Sequence, residues 1–190
     1  MEAMKHYRIF IGFWFGFIIV TSAAAYDLTQ GMHGMSWASS ISEHAHLKKV
    51  RESFGVSYYV NEDMIYQVVN QSVIGVFYGF YNDQFFAVYI KLRRPDQFEH
   101  LKQLFSENYG EPKAERNTSG DQVVYRWIVN DAKIKLKMKE SIGEIKLAVY
   151  YIPIASRLNE EQLERITPDD FNVPHSKKDE KRKSAPLLDY

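Results

Sequence analysis

The hydrophobic pattern of this chain changes period as it runs, and each change predicts an element. An unbroken apolar run, Ile9–Val20 (IFIGFWFGFIIV), follows Lys5 and Arg8. Residues 27–37 (DLTQGMHGMSW) carry two glycines and little periodicity, and read as an extended lead-in. From Ser40 the spacing turns helical. Ser40-Ile41-Ser42-Glu43 fits a capping box, and Ile41, Ala45, Leu47, Val50 and Phe54 supply an apolar side before Gly55 stops it. This predicts a helix over 40–52. Short strands follow at 56–60 and 64–69, and then comes the strongest local signal: VIGVFYGFY, Asn82-Asp83, QFFAVYIKL. Two apolar runs joined by a two-residue Asn-Asp turn make a β-hairpin. With Asn82 and Asp83 as the loop, Phe77 faces Val88 and Gly79 faces Phe86. The other face then pairs Phe80 with Phe85, Tyr78 with Ala87 and Val76 with Tyr89. Both faces are apolar, which is unusual for an exposed antiparallel pair.

Arg94-Pro95-Asp96 breaks that strand, and Asp96 is placed to cap a second helix over 96–109. Its apolar stripe is Phe98, Leu101, Leu104 and Phe105, with Gly110 and Pro112 beyond. A second hairpin, QVVYRWIV–Asn130-Asp131–AKIKLKMK, alternates strictly. Tyr125, Trp127, Ile134, Leu136 and Met138 take one side; Arg126, Lys133, Lys135, Lys137 and Lys139 take the other, with Lys146 beside them. IKLAVYYI (145–152) returns as a third strand, and a short helix is expected at 159–166. The order predicts an α+β fold, an antiparallel sheet built from hairpins with two main helices packed on one face. The blocks 40–92 and 96–152 would be two helix-plus-strands units.

The opening run changes the picture most. Twelve apolar residues are too few for a membrane-crossing helix, which needs about 20. Basic residues in front and Ala23-Ala24-Ala25 behind give the layout of a secretory signal peptide. Cleavage after Ala25 would start the mature protein at Tyr26; an anchor that keeps the leader and recruits Thr21–Tyr26 is the alternative. The expected organisation is a signal peptide (1–25), one α+β domain (26–171) and a disordered charged tail (172–190), the last from its prolines and KKDEKRK run. The expected location is periplasmic or secreted.

Composition then removes classes of chemistry. The chain has no cysteine, hence no disulfide, thiol nucleophile, thiolate metal site or lipidated cysteine. Without Glu2, Lys5 and Arg8 it keeps 22 basic and 23 acidic residues, so no global field steers a polyanion. Nucleic acid is excluded as a partner on charge and compartment.

The remaining chemistry is thin. His44 and His46 stand two apart on the expected helix, pointing away from each other, and no carboxylate completes a set with them or His33; neither metal nor cofactor is expected. Ser36, Ser39, Ser40 and Ser42 sit at a helix start, where capping explains them, and no G-x-S-x-G turn is present. Two surfaces stand out instead. One is the basic sheet face of Arg126, Lys133, Lys135, Lys137 and Lys139, a solvated face or a platform for phospholipid headgroups, lipopolysaccharide phosphates or an acidic protein. The other is the aromatic hairpin face of Val76, Tyr78, Phe80, Phe85 and Tyr89, covered within the chain or by a partner.

GMSWASSISE and YGFYNDQFFAVYIKL resemble segments of a group of exported bacterial proteins with no assigned activity. Their pattern is a Gly-x-x-Trp-Gly opening, an aromatic YGFY hairpin, a helix ending Tyr-Gly-x-Pro and a Trp-bearing strand. Here these are Gly34–Trp37, Tyr78–Tyr81, Tyr109–Pro112 and Trp127, with Ala38 where the pattern has Gly. The arrangement is similar in outline to the β-lactamase-inhibitor-like fold and to the small lipoprotein of the outer-membrane β-barrel assembly machine, though it lacks the latter's cysteine. The resemblance implies a fold and a compartment, with no catalytic residue to carry over. The expected function is a non-enzymatic binding or accessory module of the bacterial envelope, with an envelope protein or a second copy as partner. A carrier or sensor of lipid or envelope components, resting on an anionic membrane surface, is the alternative; a hydrolase is the third reading.

Overall fold

The computed structural model describes residues 27–158 and 183–188. The leader, the helix expected at 159–166 and residues 172–182 and 189–190 of the tail lie outside them. The lead-in forms a small hairpin, β1 (Gly31–Met32) and β2 (Met35–Ser36), with both methionines buried. The capping box at Ser40 is present: Ser42 N–H donates to Ser40 Oγ at 3.3 Å and Ser40 N–H to Glu43 at 2.9 Å. It caps only one 3-10 turn, Ile41–Glu43. The helix expected over 40–52 is therefore absent, and β3 (Lys48–Ser53) takes its place. The reason lies in the turn that follows. Phe54 and Gly55 both have positive φ, 52° and 78°, a two-residue hairpin turn that pairs β3 with β4 (Val56–Val60). A glycine that reads as a helix stop serves equally as a hairpin corner.

β5 (Met64–Val68) and β6 (Gln71–Ser72) lead to the aromatic hairpin, β7 (Gly75–Tyr81) and β8 (Gln84–Leu92). The Asn82-Asp83 turn is as expected, both residues having positive φ. The register holds for Tyr81↔Gln84 and Phe80↔Phe85, then slips by one between Gly79 and Phe80, so that Gly79 faces Ala87 and Tyr78 faces Val88. This bulge admits Phe86 as an extra residue and corrects every pairing expected beyond it.

α1 (Pro95–Tyr109) buries Phe98, Leu101 and Phe105, as the helical stripe predicts. Its cap differs. Asp96 lies in the first turn and pairs with Arg94, while the buried Gln97 side chain accepts from Arg93 N–H (2.9 Å) and Arg94 N–H (3.2 Å). β9 (Lys113–Arg116), β10 (Gln122–Val129), β11 (Ala132–Lys139) and β12 (Glu144–Tyr151) complete the main sheet, and the single-turn α2 (Ile152–Ala155) follows. That sheet is antiparallel throughout, in the order β3-β4-β7-β8-β12-β11-β10-β9. Its edge strands β3 and β9 are rich in charge, which blunts edge-to-edge pairing.

The α+β class holds, yet the two faces of the sheet are not dressed alike. α1 packs with Tyr78, Phe80, Phe85, Ile90, Trp127 and Leu136 in the larger core, whereas Ile154 and Ala155 of α2 join Tyr58, Phe77 and Tyr89 in a second cluster on the opposite face. Trp127 ties α1 to the sheet by donating to Gly110 O at 2.9 Å. Residues 183–188, expected within a disordered tail, place β13 (Lys183–Pro186) parallel on β5 and bury Leu187 and Leu188.

Candidate functional site

Alternation along β10, β11 and β12 sends odd and even residues to opposite faces of the sheet. Val123, Trp127, Ile134 and Leu136 enter the larger core with α1. Arg126, Lys133, Lys135, Lys137 and Lys139 therefore share the face turned away from it, as the sequence pattern requires. Pairing fixes their neighbours. Lys137 lies directly opposite Lys146, and Lys146 directly opposite Lys91, so three lysines stand abreast on three adjacent strands. One row along, Arg126 faces Lys135 and Lys135 faces Ala148. Lys91 is the member of this array that the sequence pattern missed, because its inclusion depends on β12 pairing with β8 across more than fifty residues.

Like charges directly opposite one another destabilise a sheet, so this arrangement works against the fold. The most buried member is Lys146, 6 % exposed. Burial pushes its ammonium below the usual lysine value; Glu144, 2.9 Å away, works against that shift, while Lys137 and Lys91 add to it. Arg126 pairs with Glu115 on β9, whose carboxyl is held below its ordinary range by Lys113 and Arg126. Among the described residues Lys91, Lys133 and Lys137 form no ion pair.

The aromatic hairpin face is differently placed. Val76, Tyr78, Phe80 and Phe85 lie in the larger core, while the bulge turns Tyr89 to the other side, into the cluster with Tyr58 and Tyr150. The five residues expected to share a face do not, and all five are buried. Their cover comes from within the chain. Among the described residues none hydrogen-bonds the buried Tyr89 hydroxyl, and burial drives its phenol well above the ordinary value.

Two polar groupings are new. His33 bonds Tyr78 Oη through Nδ1 (3.0 Å) and Leu187 O through Nε2 (2.8 Å), and stacks on Tyr66 at 4.5 Å; Tyr66 and Tyr78 hydroxyls are 2.6 Å apart. The carbonyl takes an Nε2–H, which leaves Nδ1 as acceptor for Tyr78 O–H. These contacts tie the lead-in, β5, β7 and the 183–188 segment together. His33 carried no sequence signal for this, because its partners lie 45 and 154 residues away.

The second grouping is Ser39 and His44, Oγ to Nε2 at 2.7 Å. The spacing resembles a nucleophile–base pair. Ser39 Oγ also donates to Ser36 O at 2.7 Å, however. Its single proton is committed there, so His44 is the donor to Ser39, the reverse of what an activated serine needs. His44 and His46 do approach, ring centroids 6.1 Å apart, since the helix expected to separate them is absent. No group of three or more histidine or carboxylate side chains is placed to hold a metal among the described residues.

No helix among the described residues is long and apolar enough to cross a membrane. Comparison with protein-family models, curated proteins and solved structures finds no match.

Proposed function

We propose that this chain is an exported, non-enzymatic binding module of the bacterial envelope that holds an acidic protein partner on its lysine face. The observation that carries the proposal is Lys137, Lys146 and Lys91 abreast on neighbouring strands, flanked by Lys133, Lys135, Lys139 and Arg126. Because the array costs stability, a compensating use is expected of it, and an anionic partner supplies one by relieving the mutual repulsion. Export rests on the leader at 1–25. Burial of the aromatic hairpin moves the expected contact from that hairpin to the basic face.

One observation favours a second reading, an anionic membrane surface. The array is almost all lysine, and point charges on flexible stems suit diffuse attraction to headgroups. Co-sedimentation with vesicles containing anionic lipid, at low and high salt, separates the two. The protein-partner reading predicts no pelleting at physiological ionic strength. Salt-sensitive pelleting that disappears in the triple variant K133E/K135E/K137E would overturn it in favour of the membrane.

A further inference from the structure

A second feature, separate from the lysine face, is the strand pair by which β5 and residues 183–188 join the larger core. β13 is the one strand that pairs parallel among the described residues, and it runs along the edge of β5 with Lys183 opposite Met64 and Pro186 opposite Gln67. Main-chain bonds hold both ends: Lys183 N–H to Asp63 O at 2.9 Å and Leu187 N–H to Gln67 O at 2.7 Å. Leu187 and Leu188 then turn into the larger core, 1 % and 2 % exposed. His33 reads the backbone beyond the strand by donating to Leu187 O, and is itself oriented by Tyr78 and Tyr66. A cleft of about 590 Å³ runs beside the strand, lined by Gln67, Asn70 and His100 on the receiving side and Ser184 and Pro186 on the other.

These are the parts of a strand-addition site. An open sheet edge supplies main-chain bonds, sockets for particular side chains supply selectivity, and a fixed donor sets the register. Pro186 lacks an N–H and sits in a strand that has no neighbour on its outer edge among the described residues, where that lack is tolerated. We infer that the β5 edge is a receptor for extended peptides carrying two adjacent leucines, occupied here by the chain's own residues 183–188. A partner protein that presents such a segment would dock by displacing them. Two buried leucines and a few main-chain bonds gain about as much as ordering six residues loses, so the occupant is exchangeable. Its hold depends on covalent tethering, since a segment of the same chain meets the groove at an effective concentration of order mM.

The test uses the full chain and a fluorescein-labelled peptide of the sequence 183–190, followed by anisotropy. The variant L187S/L188S empties the sockets and should bind the peptide at least about tenfold more tightly than the native chain; a peptide carrying both serines should not bind. Because the chain has no cysteine, S184C with I65C gives a lock across opposed positions of the strand pair. The oxidised lock should exclude the peptide and reduction should restore binding. The inference is overturned if L187S/L188S melts cooperatively yet binds no peptide. Should that variant fail to fold, equal binding, or none, in the oxidised and reduced lock overturns it instead.

Discussion

Replacing Tyr78 by Phe tests whether the hydrogen-bonded cluster is a structural joint. The ring is 1 % exposed and stays in place, so the change removes one oxygen and nothing else. That oxygen lies 2.6 Å from the Tyr66 hydroxyl and 3.0 Å from His33 Nδ1. Without it, the buried Tyr66 hydroxyl loses its acceptor, and a stranded buried polar group costs about 1–3 kcal/mol. His33 is half-buried and recovers part of its loss from water, adding about 0.5 kcal/mol or less by the same reasoning. The expected loss is about 2 kcal/mol. Tyr66→Phe removes only the outer member and should cost about 1 kcal/mol. Urea unfolding followed by tryptophan fluorescence gives both values, and the double variant completes a cycle. It should be no worse than Tyr78→Phe by more than about 0.5 kcal/mol, because the lost bond is shared. A Tyr78→Phe loss below about 0.5 kcal/mol, or strict additivity, would refute the joint.

The backbone makes the next prediction. Ala38 has φ of 64° and donates its N–H to Phe85 O at 2.8 Å; a left-handed alanine costs about 1–2 kcal/mol, partly offset by glycine's freer unfolded chain, so Ala38→Gly should raise the urea midpoint by the equivalent of about 0.5–1 kcal/mol. Gly79→Ala should do the opposite. Its new Cβ would meet Tyr89 Cε2 at 3.0 Å and Ala87 and Phe86 at 3.3 Å, an overpacking that costs about 1–3 kcal/mol in the same assay. Burial, with His46 assisting, lowers the His44 pKa below 6.5. The fold thus favours neutral His44, its contribution is complete above pH 6.5, and stability should fall as the pH drops below that. Urea midpoints at pH 7.5 and 5.5 should differ less for His44→Gln than for the native chain.

The fold was legible wherever the signal was local. The Asn82-Asp83 turn, the α1 stripe and the alternation of β10 and β11 each sit in a short window, and all three stand. The helix expected over 40–52 failed because two local signals each have two meanings. Ser40–Glu43 caps any turn, and Gly55 ends a helix or corners a hairpin; pairing of β3 with β4 chose between them. The bulge at Phe86 was hidden because either register of an aromatic run on both faces looks equally apolar. That slip separates Tyr89 from Val76, Tyr78, Phe80 and Phe85. Of the site, the basic row was readable from its own strands, while Lys91 and the seat of residues 183–188 depend on long-range pairing that no window contains.

The central claim is that the lysine face meets an acidic protein outside the cytoplasm. The most direct test installs a photo-crosslinking residue at Lys137, and separately at exposed Gln103 on α1, in cells that export the chain. The account predicts an adduct with an envelope protein from position 137 that is lost when Lys133 and Lys135 are changed to Glu, and none from position 103. Adducts from 103 alone, adducts indifferent to those charges, or adducts only with cytosolic proteins would contradict it.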